Sequence, residues 1–139
     1  MAAFNKFNTF VADIANKVHN LGSDTLKVML TDTAPAATNT VKANITEISA
    51  GNGYSAGGTA ITITSSTQSS GLYKLIGSNV TFTASGGSIN QFRYAVIYNS
   101  TTGSGNLIGW YDYGAEMNVT SGNSFTVQFD QTNGILQLQ

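Results

Sequence analysis

Strict alternation of apolar and polar residues in short segments constrains the fold of this chain more than any other feature. The alternation is clearest over residues 60–64, 79–84 and 124–130, where Ile61 and Ile63, for example, fall on one side of an extended chain. A period of two residues is that of a β-strand with one buried face. We therefore predict strands in these segments and over residues 25–31, 44–49, 72–76, 91–99, 106–113 and 134–139.

Turn-forming residues separate these segments at intervals of about 8–12 residues. They form the stretches AGNGYSAGG (50–58), STTGSG (100–105) and QTNG (131–134). Short strands with such spacing are typical of antiparallel sandwiches and barrels. We predict a mainly β fold, an antiparallel β-sandwich or barrel of jelly-roll-like form, in which residues 91–99 and 106–113 pair across STTGSG.

The first segment of the chain has a different period. Its apolar residues recur at steps of three and four and are followed by a glycine: Phe4, Phe7, Val11, Ile14, Val18, Leu21 and Gly22. This pattern predicts an amphipathic α-helix over about residues 3–20, ended by a left-handed glycine. We expect residues 1–22 to form an N-terminal helix or arm and residues 23–139 a single β domain. With Phe10 beside it, the apolar stripe must lie against the β core or another subunit.

Two predicted strands are apolar on both faces. Over residues 92–98, alternation places Phe92, Tyr94, Val96 and Tyr98 on one face, and Arg93, Ala95 and Ile97 on the other. Over residues 107–113, it places Leu107, Tyr111 and Tyr113 opposite Ile108, Trp110 and Asp112. A strand of this kind is covered on both sides. Either the strands are central in the domain, with the helix over their outer side, or a partner subunit covers them.

Charged residues make up only 9 % of the chain, compared with about 25 % in an average domain. Six Lys and Arg nearly balance seven Asp and Glu. Without a basic stripe to neutralise phosphates, nucleic-acid binding is not expected. We expect no membrane association either, because there is no polybasic segment, no run of roughly 20 apolar residues and no signal-peptide pattern over residues 1–21.

Residues that could support catalysis are few. There is no cysteine, and the one histidine, His19, falls near the end of the predicted helix, where a surface position is expected. Asp112 and Glu116 are the only closely spaced acidic pair that suggests a glycosidase, but they flank Gly114, so the favoured roles are capping that turn or binding a neighbour. Asp24 and Asp32 lack the spacing of a calcium loop. We predict no catalytic residue, cofactor or metal site.

Two further patterns allow a binding interpretation. The glycines of residues 50–58 suggest a phosphate cradle, but the segment lacks the G-x-x-x-x-G-K-[ST] pattern and a following helix, which favours a β-turn. Trp110 and the neighbouring tyrosines could stack against sugars. Since they alternate along strands instead of sitting on a loop, packing is the favoured interpretation.

Several strings of the sequence resemble a family of small virion structural proteins encoded by tailed phages. The resemblance covers nearly the whole chain after the predicted helix and is carried by DTLKVMLTDTAP, ANITEISAGNGYSAGGTAIT, VTFTASGGSINQFRYAVIYN, LIGWYDYGAEM and FTVQFDQTNGILQL. Expected family patterns are an LKVALT strand, a GxGYxAGG turn, an FRYAVLY strand and an LIGYxDYG strand. The resemblance implies a particle component without catalytic residues, with Gly53 and Gly58 as turn glycines.

The expected function is that of a capsid decoration or cement protein, located on the phage head, that binds the major capsid protein and stabilises the assembled shell. We expect a homo-oligomer, with a trimer favoured. Candidate interface residues are Phe4, Phe7, Phe10, Ile14, Phe92, Tyr94, Tyr98, Trp110, Tyr111 and Tyr113. The alternative is a tail or tail-fibre component that binds host-surface glycans.

Overall fold

A computed structural model describes all 139 residues. The protein is mainly β, with 46 % strand, 9 % helix, antiparallel sheets and one α-helix near the N-terminus, consistent with the predicted β-sandwich or barrel. The elements are β1 (Phe4–Lys6), α1 (Thr9–Ala15), β2 (Leu26–Thr31), β3 (Thr59–Ala60), β4 (Ile63–Ser69), β5 (Leu72–Gly77), β6 (Val80–Thr83), β7 (Ile89–Asn99), β8 (Asn106–Val119), β9 (Ser124–Val127) and β10 (Leu136–Leu138), with 3₁₀ turns at Lys42–Asn44 and Ser100–Thr102.

The strands form three antiparallel sheets that share one main core. A five-stranded sheet has the order β1-β8-β7-β2-β3, a three-stranded sheet the order β10-β5-β4, and β6 pairs with β9. Strands of all three sheets supply the main core, among them β2, β5, β7 and β9. The sheets have unequal sizes, of five, three and two strands.

Most predicted strands are present within a few residues of their expected ends, and β7 pairs with β8 across the predicted turn. Residues 44–49 are an exception, because they contain the end of a 3₁₀ turn and an isolated bridge between Glu47 and Thr31. Residues 60–64 are not one strand. Ile61 N–H donates to Leu26 in the large sheet, while Thr62 accepts from Ser78, so the chain changes sheets there.

The N-terminal segment differs most from its prediction. The helix spans seven residues instead of residues 3–20, and Phe4–Lys6 is a strand paired with β8, Phe4 lying opposite Tyr111. The helix ends where Lys17 adopts a left-handed conformation with φ +63°. Pairing with the free edge of β8 satisfies the backbone groups of residues 4–6 and keeps Phe4 packed against the core. These contacts stabilise the strand more than the local helical preference stabilises a helix. The segment is therefore part of the domain and not an extended arm.

A β-bulge explains why simple alternation misassigned the faces of β8. Tyr98 lies opposite Leu107 but Ile97 lies opposite Gly109, so Ile108 is an extra residue in β8. One extra residue moves every following side chain to the other face. Leu107 therefore packs with Tyr98 in a second, smaller cluster, whereas Ile108 and Tyr111 both reach the main core.

Phe92 is likewise displaced from its predicted face. It packs in the main core, while Val96 and Tyr98, predicted on its face, belong to the second cluster. The pairing of β7 with β8 is irregular on both sides of Phe92, which changes the local twist of the strand.

The chain itself covers the outer face of the β7–β8 hairpin. Phe7 is fully buried there beside Met29 and Val96, with Ile45 packed against them. Residues 37–45 lie over the same region, since Leu107 N–H donates to Thr40 and Lys42 N–H to Gly105. Of the two predicted arrangements, the structure has cover from within the domain, although the cover comes from Phe7 and a loop and not from the helix.

Candidate interaction surface

The structure divides the predicted interface residues into two groups. Six are buried inside one chain, with at most 8 % of the residue exposed, and have no free surface for a second subunit: Phe7, Phe10, Phe92, Tyr94, Tyr98 and Tyr111. These six residues form part of the core of the domain and are therefore withdrawn as interface candidates. The remaining four, Phe4, Ile14, Trp110 and Tyr113, are half-buried.

Exposed apolar side chains are concentrated near the N-terminus. Met1 and Val11, with exposures of 79 % and 55 %, are the exposed large hydrophobic residues of the protein. Val11 lies in a groove of about 410 Å³ between α1, β1 and β10. We call this groove the N-terminal face and define it by its apolar lining residues Phe4, Phe10, Val11, Ile14, Leu136 and Leu138.

The N-terminal face unites three predicted interface residues, Phe4, Phe10 and Ile14. Its other three apolar residues, Val11, Leu136 and Leu138, were not predicted as interface residues. Val11 belonged to the helical stripe, and alternation predicted the strand that holds Leu136 and Leu138. Their juxtaposition arises only when β10 lies beside the helix, and no local pattern encodes that contact. Lys6 is the one charged side chain in the groove.

The two half-exposed aromatic residues of β8 do not form one platform. The Trp110 ring packs against Phe7 at a centroid distance of 4.6 Å, on the side of the second cluster. Tyr113 lies on the main-core side, edge-on to Phe125 at 4.9 Å. Its partial burial raises its pKa to about 12. With these rings on opposite faces and Tyr94, Tyr98 and Tyr111 buried, packing is the observed role of the aromatic set.

The carboxylates that suggested chemistry hold the backbone in place. Asp112 accepts two hydrogen bonds from Arg93, at 2.8 and 3.0 Å, and one from Gly114 N–H at 2.8 Å. These bonds, the guanidinium first, lower the pKa of Asp112. Asp112 thus caps the turn at Gly114, which is one of the two roles that the sequence left open for this acidic pair. Glu116, its proposed catalytic partner, is exposed.

Asp24 also has a turn-capping role. Its Oδ2 accepts from the backbone N–H of Asn20 at 2.8 Å and from the Asn99 amide at 2.6 Å. Asp32, which directly follows the last residue of β2, is exposed. No three His, Cys, Asp or Glu side chains come together as potential metal ligands.

The glycine-rich loop is built for close backbone approach. Gly53 and Gly58 have φ of +100° and +74°, and a Cβ on either would overlap a carbonyl oxygen, of Thr83 and Val28 respectively. Between them, the Tyr54 hydroxyl donates to Glu47 at 2.7 Å and accepts from Leu30 N–H at 3.0 Å. Burial, the largest cause, raises the pKa of Tyr54. The loop is thus clamped onto the sheet, and the two glycines serve close packing as well as turning.

His19 is buried, in contrast to the predicted surface position. Only 6 % of the residue is exposed, and its ring packs 5.5 Å from that of Phe10. It lies beside a shallow groove of about 480 Å³ that Asp24, Lys17 and Tyr73 also line. The helix ends earlier than predicted, so residues 16–22 fold back and bring the ring under the end of the β7–β8 hairpin.

No helix of this protein is long and apolar enough to span a bilayer. Comparison with known proteins places the chain in no group: no family model, no curated protein and no solved structure matches it.

Proposed function

We propose that this protein is a non-catalytic structural component of a tailed-phage virion that decorates the head and stabilises the assembled shell. The observation that carries the proposal is the resemblance of four strand and turn strings, LKVMLT, GNGYSAGG, FRYAVIY and LIGWYDYG, to small phage structural proteins. In the fold these strings are β2, the clamped glycine loop and the β7–β8 hairpin. They are the framework of the large sheet, so the resemblance concerns the architecture of the domain.

The N-terminal face supports contact with the major capsid protein. It combines an exposed valine, a groove lined mostly by apolar groups and a single charged residue, Lys6. Exposed apolar surface of this kind is typical of protein contact sites. Because few charges are involved, the association should depend on apolar burial and change little with salt concentration.

Stabilisation of the shell follows from mass action. A protein that binds the assembled shell but not free capsid subunits shifts the equilibrium against disassembly. Each contact can be weak, because many copies add their effects over the particle. A trimer at a local symmetry axis would engage several neighbouring capsid subunits at once, and we propose that oligomeric state for the bound protein.

The engagement of the acidic side chains agrees with a non-catalytic role. Asp112, Asp24 and Glu47 each hold backbone or core groups, as described above. Asp130 does the same, since it accepts from Thr132 and Asn133, and these bonds lower its pKa. Because their pKa values are lowered, Asp112 and Asp130 remain ionised near neutral pH and are not available there as general acids.

The proposal is tested by adding the purified protein to expanded, undecorated capsids of its phage. We expect saturable cosedimentation, a raised melting temperature of the particle and a copy number that identifies the symmetry axis. Failure to bind capsids, together with binding to isolated tails, would overturn the head assignment. Binding to host-surface glycans would then support the tail or tail-fibre alternative.

A matched pair of variants tests the N-terminal face. Val11→Asp places a charge in the groove, whereas Thr67→Asp places one at an exposed position of β4, away from it. We expect Val11→Asp to weaken capsid binding at least tenfold and Thr67→Asp to leave it unchanged. Equal capsid binding by both variants would show that another surface makes the contact, and the proposed location on the head would stand.

A further inference from the structure

The buried His19 ring connects the N-terminal segment to the end of the β7–β8 hairpin through a fixed set of hydrogen bonds. Its Nδ1 lies 3.0 Å from Nδ2 of Asn99, the last residue of β7. The same Nδ2 lies 2.6 Å from Asp24 Oδ2. On its other side, Asn99 Oδ1 accepts from Thr101 N–H at 2.9 Å.

These contacts determine the orientation of the amide and the tautomer of the ring. Because Oδ1 of Asn99 accepts from a backbone N–H, Nδ2 faces both His19 and Asp24. The NH₂ group has two hydrogens for two acceptors, so Nδ1 of His19 accepts and the ring is neutral, with its proton on Nε2. That Nε2 is buried without a hydrogen-bond partner, and the nearest carboxylate oxygen, Asp13 Oδ2, is 3.9 Å away.

Protonation of the ring is incompatible with this arrangement. A proton on Nδ1 would point at the NH₂ group of Asn99, placing two donors 3.0 Å apart. Rotation of the amide would offer Oδ1 to the ring, but that oxygen would then lie against the Asp24 carboxylate and would leave Thr101 N–H without its acceptor. Either outcome costs hydrogen bonds that the neutral form makes.

We propose that His19 is a pH-sensitive latch whose neutral ring joins residues 16–24 to the end of the β7–β8 hairpin and whose protonation releases them. This inference concerns the free protein and does not depend on the proposed place in the virion.

The charged groups around the ring act in opposite directions. Asp13 on α1 and Asp24 on the following loop favour the protonated form, whereas burial disfavours it and is the larger effect, so the pKa of His19 is lowered from 6.5. Lys17 and the Tyr73 hydroxyl share the adjoining groove. Asn99 and Asn106, which face the ring and Asp13 from the hairpin, are neutral.

The sign of the pH dependence follows from the lowered pKa. The unfolded chain takes up a proton at about 6.5, and the folded chain does so only at lower pH. The latch therefore contributes its full stability above pH 6.5 and loses it as the pH falls from there to the folded-state midpoint. Within that interval, each unit by which the pH falls raises the equilibrium constant for unfolding about tenfold.

His19 is the only histidine in the chain, which makes the experiment direct. Two-bond ¹H–¹⁵N correlation spectra of the labelled full-length protein report its tautomer and its midpoint. We expect the Nε2–H tautomer at pH 7.5, a midpoint below 6.5, and amide signals of Asn20, Asn99 and Thr101 that move with that midpoint. An Nδ1–H tautomer, a midpoint at or above 6.5, or amide signals independent of the ring would each overturn the proposal.

Variants separate the latch from a merely buried ring. His19→Asn keeps an acceptor near the position of Nδ1 but cannot titrate, so its stability should lose the pH dependence that begins as the pH falls below 6.5. Should that smaller side chain prevent folding, Asp13→Asn retains the ring and removes one of the two carboxylates that favour protonation, and its midpoint should fall below that of the wild type. Asp32→Asn, at an exposed position away from the ring, should leave the midpoint unchanged. A midpoint unmoved by Asp13→Asn would contradict the proposed surroundings of the ring.

Discussion

The N-terminal segment (residues 1–22) and the β7–β8 hairpin are both rich in aromatic residues, but they end in different environments. In the hairpin, Phe92, Tyr94 and Tyr98 are buried, and only Trp110 and Tyr113 keep partial exposure. The N-terminal segment buries Phe7 and Phe10 and yet leaves Met1 and Val11 exposed. The aromatic residues of the first region are thus mostly core, whereas the second region is core on one side and open surface on the other.

The difference lies in the number of sheet neighbours. The hairpin is central in the five-stranded sheet, with β1 on one side and β2 on the other, and further chain lies over each face. The N-terminal segment supplies an edge strand and a short helix, which have neighbours only towards the domain. A segment rich in aromatic residues is therefore expected to be buried. Whether part of its apolar surface stays exposed depends on whether the segment lies at the edge of the sheet or in its centre.

The largest expected effect tests whether the two regions are equally part of the core. Phe92→Ala and Phe10→Ala each remove a ring that is at most 2 % exposed. Each should lower the free energy of unfolding by about 3–5 kcal/mol, because a cavity replaces the ring. Urea denaturation measures both values. A small loss for Phe10→Ala beside a large one for Phe92→Ala would break the comparison and restore the N-terminal segment as a loosely attached arm.

Gly109→Ala tests the contact between the two regions, where β1 of the N-terminal segment pairs with β8 of the hairpin. A Cβ at this position of β8 would overlap the Phe4 ring and lie 2.7 Å from the Asn5 carbonyl oxygen. The substitution should displace β1 and destabilise the protein by about 1–3 kcal/mol, as overpacking does. Hydrogen exchange should then show lost protection at Phe7 N–H, which donates to Ile108, with Val96 in the hairpin unaffected. Equal loss at both sites would show that the two regions unfold as one unit.

Trp110→Ala tests the partly exposed side of the hairpin. Because the ring is half-buried against Phe7, its loss should destabilise the protein by about 1–2 kcal/mol, less than a fully buried ring. Thermal unfolding measures the change, with Phe92→Ala as the reference for full burial. A variant of unchanged stability that no longer bound a glycan would contradict the packing role.

The smallest expected effect on stability belongs to Val11→Asp. The Val11 side chain is largely exposed, so its replacement should alter the free energy of unfolding by no more than about 0.5 kcal/mol. Urea denaturation of this variant beside Phe10→Ala compares an exposed and a buried residue at adjacent positions of the same short helix. A loss approaching that of Phe10→Ala would mean that Val11 belongs to the core and that the N-terminal face is not free surface.

Part of the N-terminal face could be predicted from the sequence. The helical period identified Phe4 and Ile14, whereas Phe7 is fully buried and Phe10, which lines the groove, is only 2 % exposed. Leu136 and Leu138 could not be assigned to the surface in advance, because their place beside α1 depends on the pairing of β10 with β5. A stripe shows which residues avoid water, but it does not show which of them a distant strand will cover.

The sequence by itself determined the class of the fold, the approximate positions of most strands and the pairing of β7 with β8. These features depend on local properties, namely a period of two residues and glycine-rich turns, which act over a few neighbouring positions. The cap that Asp112 forms on the Gly114 turn is a local feature of the same kind, and the sequence indicated it as one of two roles.

Only the tertiary structure decided the remaining features. The extra residue Ile108 reverses the faces of β8, a free sheet edge makes residues 4–6 a strand instead of a helix, and the hairpin end buries His19. Each depends on contacts between residues far apart in the chain, where the free energy of burial and of backbone hydrogen bonding exceeds any local preference. For that reason periodicity predicted the segments of this protein, and long-range packing determined which of their side chains meet.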